Sequence, residues 1–380
     1  MPRLRVDNTS MPTLHLRMET PLARLDGALW QPSVADAARL DQAASILRAG
    51  GTVAMPTETV YGLAANALDA DAVAKIFLAK QRPHWDPLIV HVSDLAMAHT
   101  VVAAISPVAQ LLIDAFWPGP LTLLLPRSAR IPDIVTAARP LVGMRIPLHP
   151  VALSLIRRAG VPLAAPSANR FGHISPTTAA HVLADLDGRI DAVLDAGPTA
   201  FGVESTVLDP SLHPAILYRP GAISREQIAS VLEPLCGQDS VLEWKTATLT
   251  HQPREAMPSP GVGLRHYAPR ARVILVPAHA TAVVAALSRL TSLNQRAGLL
   301  LPQHLPGTIP PAVAAQTLCF PWGNWLLPET LAESLYAGLR SLDSAGCSAI
   351  VVPTPEPSGI GAALLDRLQK AAVPSQAAEE

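Results

Sequence analysis

The sequence predicts an α/β protein of two domains: a large open sheet, mixed in strand direction, followed by a smaller three-layer α/β domain. Three observations predict it. Short apolar runs of strand length alternate with longer stretches of helical period along most of the chain. Several links between runs are too short to hold a crossover helix, so some neighbouring strands must be antiparallel. At 380 residues, 49% of them apolar, the chain is long for one core, and its periodicity lapses between 236 and 262.

The first thirty residues intersperse Arg3, Arg5, Arg17 and Arg24 with Asp7, Glu19 and Asp26 and hold no unbroken apolar run, so they do not read as a secretory signal. Residues 1–30 are expected to be a loosely ordered extension. The first domain is placed at 31–235. It opens with helical spacing over 34–47, stopped by Gly50 and Gly51, then a buried strand over 52–55 that feeds a turn at Pro56-Thr57-Glu58-Thr59. A helix over 71–80 ends by Pro83, a strand covers 88–92, and a helical stretch precedes Trp117-Pro118-Gly119-Pro120. Strands follow at 121–125 and 142–146, then a helix over 151–159, a strand over 163–165 and a helix over 178–186. Strands at 192–195, 205–208 and 215–218 lead to a last helix, which Ser224 and Gln227 start as a capping box.

Gly, Gln, Ser and Pro then gather, ending in Pro258-Ser259-Pro260-Gly261, and 236–270 is taken as a linker. The second domain, 271–375, alternates strands at 273–276, 299–301 and 350–352 with helices at 281–293, 329–342 and 362–371.

Composition excludes several classes of function. Cys236, Cys319 and Cys347 are far apart and show no CxxC spacing, so neither a disulfide framework nor a zinc site is predicted. No run of about 18 apolar residues suggests a membrane span, and a cytoplasmic enzyme is the expectation. A net charge of −1 excludes a globally basic nucleic-acid binder and leaves room for a local basic cleft. The phosphate loop GxxxxGKS/T is absent, and Gly359-Ile360-Gly361 lacks a third glycine, Leu364 standing in its place, so it reads as a tight start to a helix.

Chemistry-bearing residues cluster instead where strands end. The segment Pro56-Thr57-Glu58-Thr59-Val60-Tyr61-Gly62-Leu63 puts two hydroxyls, a carboxylate and a phenol at the end of a strand, a usual place for ligands in α/β sheets. Its hydroxyls could equally satisfy their own turn. Lys80 and Arg82 can reach one anion, although basic residues at a helix C-terminus also complement the dipole. Ala164-Ala165-Pro166-Ser167-Ala168-Asn169 brings small residues and two hydrogen-bonding side chains after a strand; Gly202-Val203-Glu204-Ser205-Thr206-Val207 and Tyr218-Arg219-Pro220-Gly221 add hydroxyls and a cation.

In that order, with the AKxRPxxxPLIVH-like segment from Ala79 and Trp117-Pro118-Gly119-Pro120-Leu121-Thr122, these motifs resemble the YrdC-type L-threonylcarbamoyladenylate synthases over roughly 34–235. Ser259-Pro260-Gly261, Arg265-His266-Tyr267-Ala268-Pro269 and Asp366-Arg367-Leu368 resemble the two-domain form. The resemblance implies a YrdC-type open twisted mixed sheet with a smaller Rossmann-like domain after it. It implies a nucleotidyltransferase that takes ATP, L-threonine and bicarbonate and makes threonylcarbamoyl-AMP and pyrophosphate, for N6-threonylcarbamoyladenosine in tRNAs reading ANN codons. A downstream threonylcarbamoyl-transferase complex is the implied partner, tRNA an indirect target, and weak RNA binding an accompanying property; no membrane is involved.

By the same resemblance, Lys80 and Arg82 are the catalytic pair on the triphosphate, joined around the nucleotide by Ser167, Asn169, Ser175, Arg219 and the linker residue Tyr267. Thr57, His91, Arg145, Ala165 and Ser205 correspond to the threonine pocket, with Arg145 on the carboxylate and His91 a hydrogen-bonding wall rather than a base. Such a reaction gathers many negative charges, so fixed cations and the Mg²⁺ that accompanies ATP matter more than a strong base, and no protein ligand to the metal is assigned. A Pro/Gly-rich linker carrying Tyr267 is expected to close over the site and exclude water.

Two departures stand out. Gln81 replaces the family's usual glycine, and Asp86 its usual asparagine, where the carboxylate would either recruit Mg²⁺ or face solvent. Two other functions compete with this reading. Carbamoyltransferases of hydrogenase maturation share the module but carry cysteine clusters that are missing here, and a purely RNA-binding module conflicts with the near-neutral charge and the lack of stacking motifs.

Overall fold

The computed structural model describes residues 12–20, 30–237, 239–243, 257, 259 and 266–373. The first sheet has eleven strands: β1 (Leu14–Arg17), β2 (Val53–Met55), β3 (Gly62–Asn66), β4 (Ile89–His91), β5 (Leu121–Pro126), β6 (Leu141–Arg145), β7 (Leu163–Ala164), β8 (Ala192–Asp195), β9 (Thr206–Asp209), β10 (Ala215–Arg219) and β11 (Val241–Glu243). Their spatial order is β1-β8-β2-β3-β7-β4-β6-β5-β9-β10-β11. Parallel and antiparallel pairings alternate irregularly, β3–β7 and β7–β4 being antiparallel and β4–β6 parallel.

Helices cover both faces. Helices Val34–Arg48 and Pro150–Ala159 bury Leu40, Leu47, Leu155 and Ile156 against Val53, Met55 and Leu194 on one face. On the other, Ile76, Leu112, Val182 and Ile228 of four helices pack on Leu63, Val90, Leu123 and Val193. Caps fix where these helices begin: Ser33 accepts from the Asp36 amide, Asp69 from Asp71 and Ala72, and the Ser224–Gln227 capping box forms in full.

The second sheet is all parallel, ordered β12 (Arg272–Val276), β15 (Ala349–Pro353), β13 (Ala297–Gln303) and β14 (Leu318–Asn324). Leu300, Ile350 and Val352 point to helices Pro328–Ser344 and Ile360–Ala372, while Leu299 and Val351 point to helix Ala280–Ser292, which makes three layers. The Gly359 position caps the last helix at φ 55°, as its role in starting that helix requires.

The structure corrects the sequence reading at four strands. Residues 14–17, assigned to a loose extension, form an edge strand on β8, and β11 lies inside the segment taken as linker, parallel to β10. β3 and β14 were not expected. Most of 236–270, including Pro260, Gly261 and Arg265, lies outside the described residues.

Candidate functional site

Loops at the ends of β2, β4, β6, β7 and β9 enclose a small cavity of about 50 Å³ lined by Arg82, His91, Arg145, Ser167, Glu204, Arg219 and Tyr267 among others. The loops are stitched by backbone. The Leu63 amide donates to Pro166 O at 2.7 Å and the Ala168 amide to Tyr61 O at 2.8 Å, which fixes the β2–β3 turn against the loop after β7. Gly221 lies so close to the β9 entrance that a Cβ there would meet the Thr206 amide nitrogen at 2.3 Å. Only glycine permits that approach.

Arg145 ends β6 and carries the most structured side chain of the wall. Its Nη1 donates to Glu58 Oε1 at 2.7 Å, Nη2 to Thr59 Oγ1 at 3.0 Å, and Nε to His91 Nε2 at 3.0 Å. Three of five N–H groups are thus engaged, leaving one on each terminal nitrogen for a further acceptor. Accepting at Nε2 places the His91 proton on Nδ1, which is buried without a partner. Burial and the adjacent Arg145 hold the His91 pKa well below its ordinary value, so the ring is neutral.

A second cationic group surrounds the loop after β7. Lys80 is buried, and its ammonium donates to Ser167 O and Asn169 O, while Asn169 Nδ2 donates to Arg170 O and His173 O at 2.8 Å. Burial, followed by repulsion from Arg82, pushes the Lys80 pKa well down. Arg82 folds onto Asp86, with an ion pair of 3.0 Å and further bonds to Asp86 O and Pro87 O. Asp86 is buried and its charge is taken up by Arg82, so it does not face solvent. Gln81 adopts φ 55°, ψ 41° at the helix C-cap. Glycine reaches that conformation without penalty whereas a side chain costs about 1 kcal/mol, which is why glycine suits the position.

The third group centres on Glu204. Its Oε1 accepts from Ser175 Oγ, and its Oε2 from Tyr336 Oη at 2.9 Å and Arg367 Nε at 2.8 Å, both residues of the second domain. Arg219 binds Ser205 O and Oγ, and Ser205 Oγ pairs with Thr122 Oγ1 at 2.8 Å. Tyr267 is buried at φ 62°, with its hydroxyl unpartnered. Its ring lies under the Arg367 guanidinium at 5.1 Å.

Of the residues singled out by resemblance, Arg82, His91, Arg145, Ala165, Ser167, Ser205, Arg219 and Tyr267 line one cavity. Four stand behind its wall. Thr57 Oγ1 is spent on its own turn, accepting from the Thr59 and Val60 amides and donating to Val60 O. Lys80 and Asn169 brace the loop after β7, and Ser175 is tied to Glu204. Sequence reasoning missed Glu58, Thr59, Glu204, Tyr336 and Arg367 as members of the site. All but Tyr336 sat within quoted motifs, and a carboxylate at a strand end, Glu58 or Glu204, was the available signal.

Fold and cavity together define an α/β protein with a buried site walled by arginines and closed from one side by a second domain. The chain belongs to the Sua5–YciO–YrdC family. The model of that family, described as telomere recombination, matches residues 45–221, and the model described as threonylcarbamoyl-AMP synthase, C-terminal domain, matches 223–373. The threonylcarbamoyl-AMP synthase of Bacillus subtilis is 39% identical over 335 residues, covering 88% of this chain and 93% of its own. That of Pyrococcus abyssi is 38% identical over 329 residues, covering 87% and 92%. The crystal structure of P. abyssi Sua5 complexed with L-threonine superposes with a TM-score of 0.81 at 34% identity, covering 95% of this chain and 97% of that one.

Proposed function

We propose that this chain joins L-threonine, bicarbonate and ATP into L-threonylcarbamoyl-AMP, releasing pyrophosphate, and so supplies the threonylcarbamoyl group of N6-threonylcarbamoyladenosine in tRNA. The observation that carries the reading is Arg145: a buried guanidinium, clamped on three sides, with one N–H left on each terminal nitrogen beside the cavity. That is a receptor for a carboxylate, and the P. abyssi relative is described as complexed with L-threonine.

The chemistry follows from charge. The threonine amine and bicarbonate combine to a carbamate with loss of water, and a carbamate oxygen attacks the α-phosphorus while pyrophosphate leaves. The nucleophile is already anionic, so no strong base is needed, which agrees with a neutral His91 whose Nε2 is occupied. Arg82 and Arg219 in the cavity wall would meet the phosphates, and Lys80 would hold the loop of Ser167 and Asn169 beneath them. Mg²⁺ would arrive with ATP as part of the substrate. Among the described residues no cluster of three His, Cys, Asp or Glu is placed to hold a metal, and Glu204 in the wall and Asp86 behind Arg82 are ion-paired to Arg367 and Arg82. The cavity is too small for a nucleoside triphosphate, so ATP would enter with the segment of His266 and Tyr267 displaced and be covered as it returns. Among the described residues no helix is long and apolar enough to cross a membrane.

Pyrophosphate release from MgATP and bicarbonate tests the reading. Release that requires L-threonine and falls to background in Lys80→Ala is expected. Threonine-independent release, or none, would reject it.

A further inference from the structure

We propose that Arg367, on the penultimate turns of the second domain, is a positioning residue of the nucleotide site: it neutralises Glu204 in the cavity wall and ties three wall segments together, so that ATP binding depends on the second domain. The inference rests on the reading of the cavity as the site of ATP.

Glu204 is a fixed carboxylate lining a cavity that must admit a triphosphate. Uncompensated, it would repel the substrate, at a cost the low-dielectric surroundings enlarge. Arg367 supplies the compensating charge from helix Ile360–Ala372 at 2.8 Å. The same guanidinium donates from Nη2 to Pro220 O at 3.0 Å, beside Arg219, and lies over the Tyr267 ring at 5.1 Å. Asp366 holds it through Nη1 and is itself balanced by Lys370 at 2.8 Å. Tyr336, from helix Pro328–Ser344, supplies a further donor to Glu204. One buried cation thereby reaches the segment after β8, the end of β10 and the linker, and the last two carry Arg219 and Tyr267, residues expected at the nucleotide.

Charge compensation leaves a signature that simple packing does not. The groups facing Glu204 are Arg367, Arg219, Ser175, Tyr336 and Tyr267, with Asp366 on the other side of Arg367. Burial alone would raise the Glu204 pKa, and Arg367, Arg219 and the Ser175 hydroxyl outweigh it. With Arg367 removed, burial prevails, and Glu204 is neutral at low pH but charged and repulsive at higher pH.

The test is steady-state pyrophosphate release by the full-length chain. Arg367→Met is expected to raise KM for ATP about tenfold, the effect of one uncompensated like charge near the phosphates, with KM for threonine unchanged. The increase should grow with pH, Arg367→Lys should recover part of it, and Arg367→Met with Glu204→Gln should recover most. A folded Arg367→Met with unchanged KM for ATP, or a rise that is pH-independent and not relieved by Glu204→Gln, would overturn the proposal. Should Arg367→Met fail to fold, Tyr336→Phe keeps the ring and removes one donor to Glu204; it should shift KM for ATP in the same pH-dependent way, and an unchanged value overturns the proposal. A wild-type chain without threonine-dependent release would instead reject the function proposed for the site.

Discussion

Replacing Arg145 by lysine keeps the charge and removes the geometry. The guanidinium spends three N–H groups on Glu58, Thr59 and His91 at 2.7–3.0 Å and has two remaining for the substrate. An ammonium has three in all, in a tetrahedral fan, and cannot hold three wall partners and a carboxylate together. If a charge-assisted pair to the threonine carboxylate is lost, about 1.5–3 kcal/mol of binding goes with it, or about 10- to 150-fold in KM for threonine. KM for ATP should hold within about twofold, since the lysine charge remains. Glu58 Oε1 and His91 Nε2 would lose their donors, which costs about 1–3 kcal/mol of stability, seen as a lower urea midpoint. A threonine KM within twofold of wild type in a folded Arg145→Lys would refute Arg145 as the carboxylate receptor.

His149 is 2% exposed and burial lowers its pKa to about 3; because the folded pKa is depressed, the unfolded chain takes up the proton first, so stability is full above about pH 6.5 and is lost as pH falls, by up to about 1.4 kcal/mol per unit. His149→Phe should flatten that part of the acid limb in urea midpoints measured between pH 6.5 and 4.5, and an unchanged slope would count against it. Asp86→Asn should lower KM for ATP about three- to tenfold by releasing Arg82 and removing a like charge near the phosphates, and a raised KM would contradict that account. Gly202, at φ 67°, faces the second domain so closely that a Cβ would sit 2.3 Å from Ala332 O. Gly202→Ala should therefore destabilise the chain by about 2–4 kcal/mol in thermal or urea unfolding, overpacking adding to left-handed strain, whereas wild-type midpoints would contradict the tightness of that interface.

Much of the fold was legible because the strands that carry the core are apolar runs bounded by glycine or proline. The strands that were missed each hide that signal for a physical reason. β3 is Gly-Leu-Ala-Ala-Asn, whose small residues have little strand preference of their own and gain their conformation from pairing between β2 and β7. β14 contains Pro321 and Gly323, which read as a turn, but it is an edge strand and can lack a ladder donor. β1 and β11 are also edges, short and half-exposed, set among residues of loop-like composition. At the site, motif order identified which segments meet, and eight of the residues singled out do line one cavity. It could not tell wall from support: Thr57 and Thr59 have the same chemistry two residues apart, and only the folded turn turns one hydroxyl inward and gives the other to Arg145.

The pairing of charges in the site has a consequence for how substrates enter. Arg82, Arg145 and Arg367 are each buried and each held by a resident carboxylate, Asp86, Glu58 and Glu204. A buried cation with no counter-charge would cost several kcal/mol, so a site designed to receive anions can stay folded without them only if it carries anions of its own. The price is competition, because a phosphate or carboxylate reaching Arg82 or Arg145 must share that cation with its internal partner. Arg145 avoids the conflict by geometry, keeping separate N–H groups for Glu58 and for the cavity. Arg82 has less latitude, since its Nε and Nη2 are turned toward Asp86 and Pro87 and only Nη1 lies outside these bonds. Threonine can therefore bind to the site much as it stands, while ATP must share Arg82 with Asp86 and displace Tyr267, which predicts that threonine binds faster than ATP and with less change in structure.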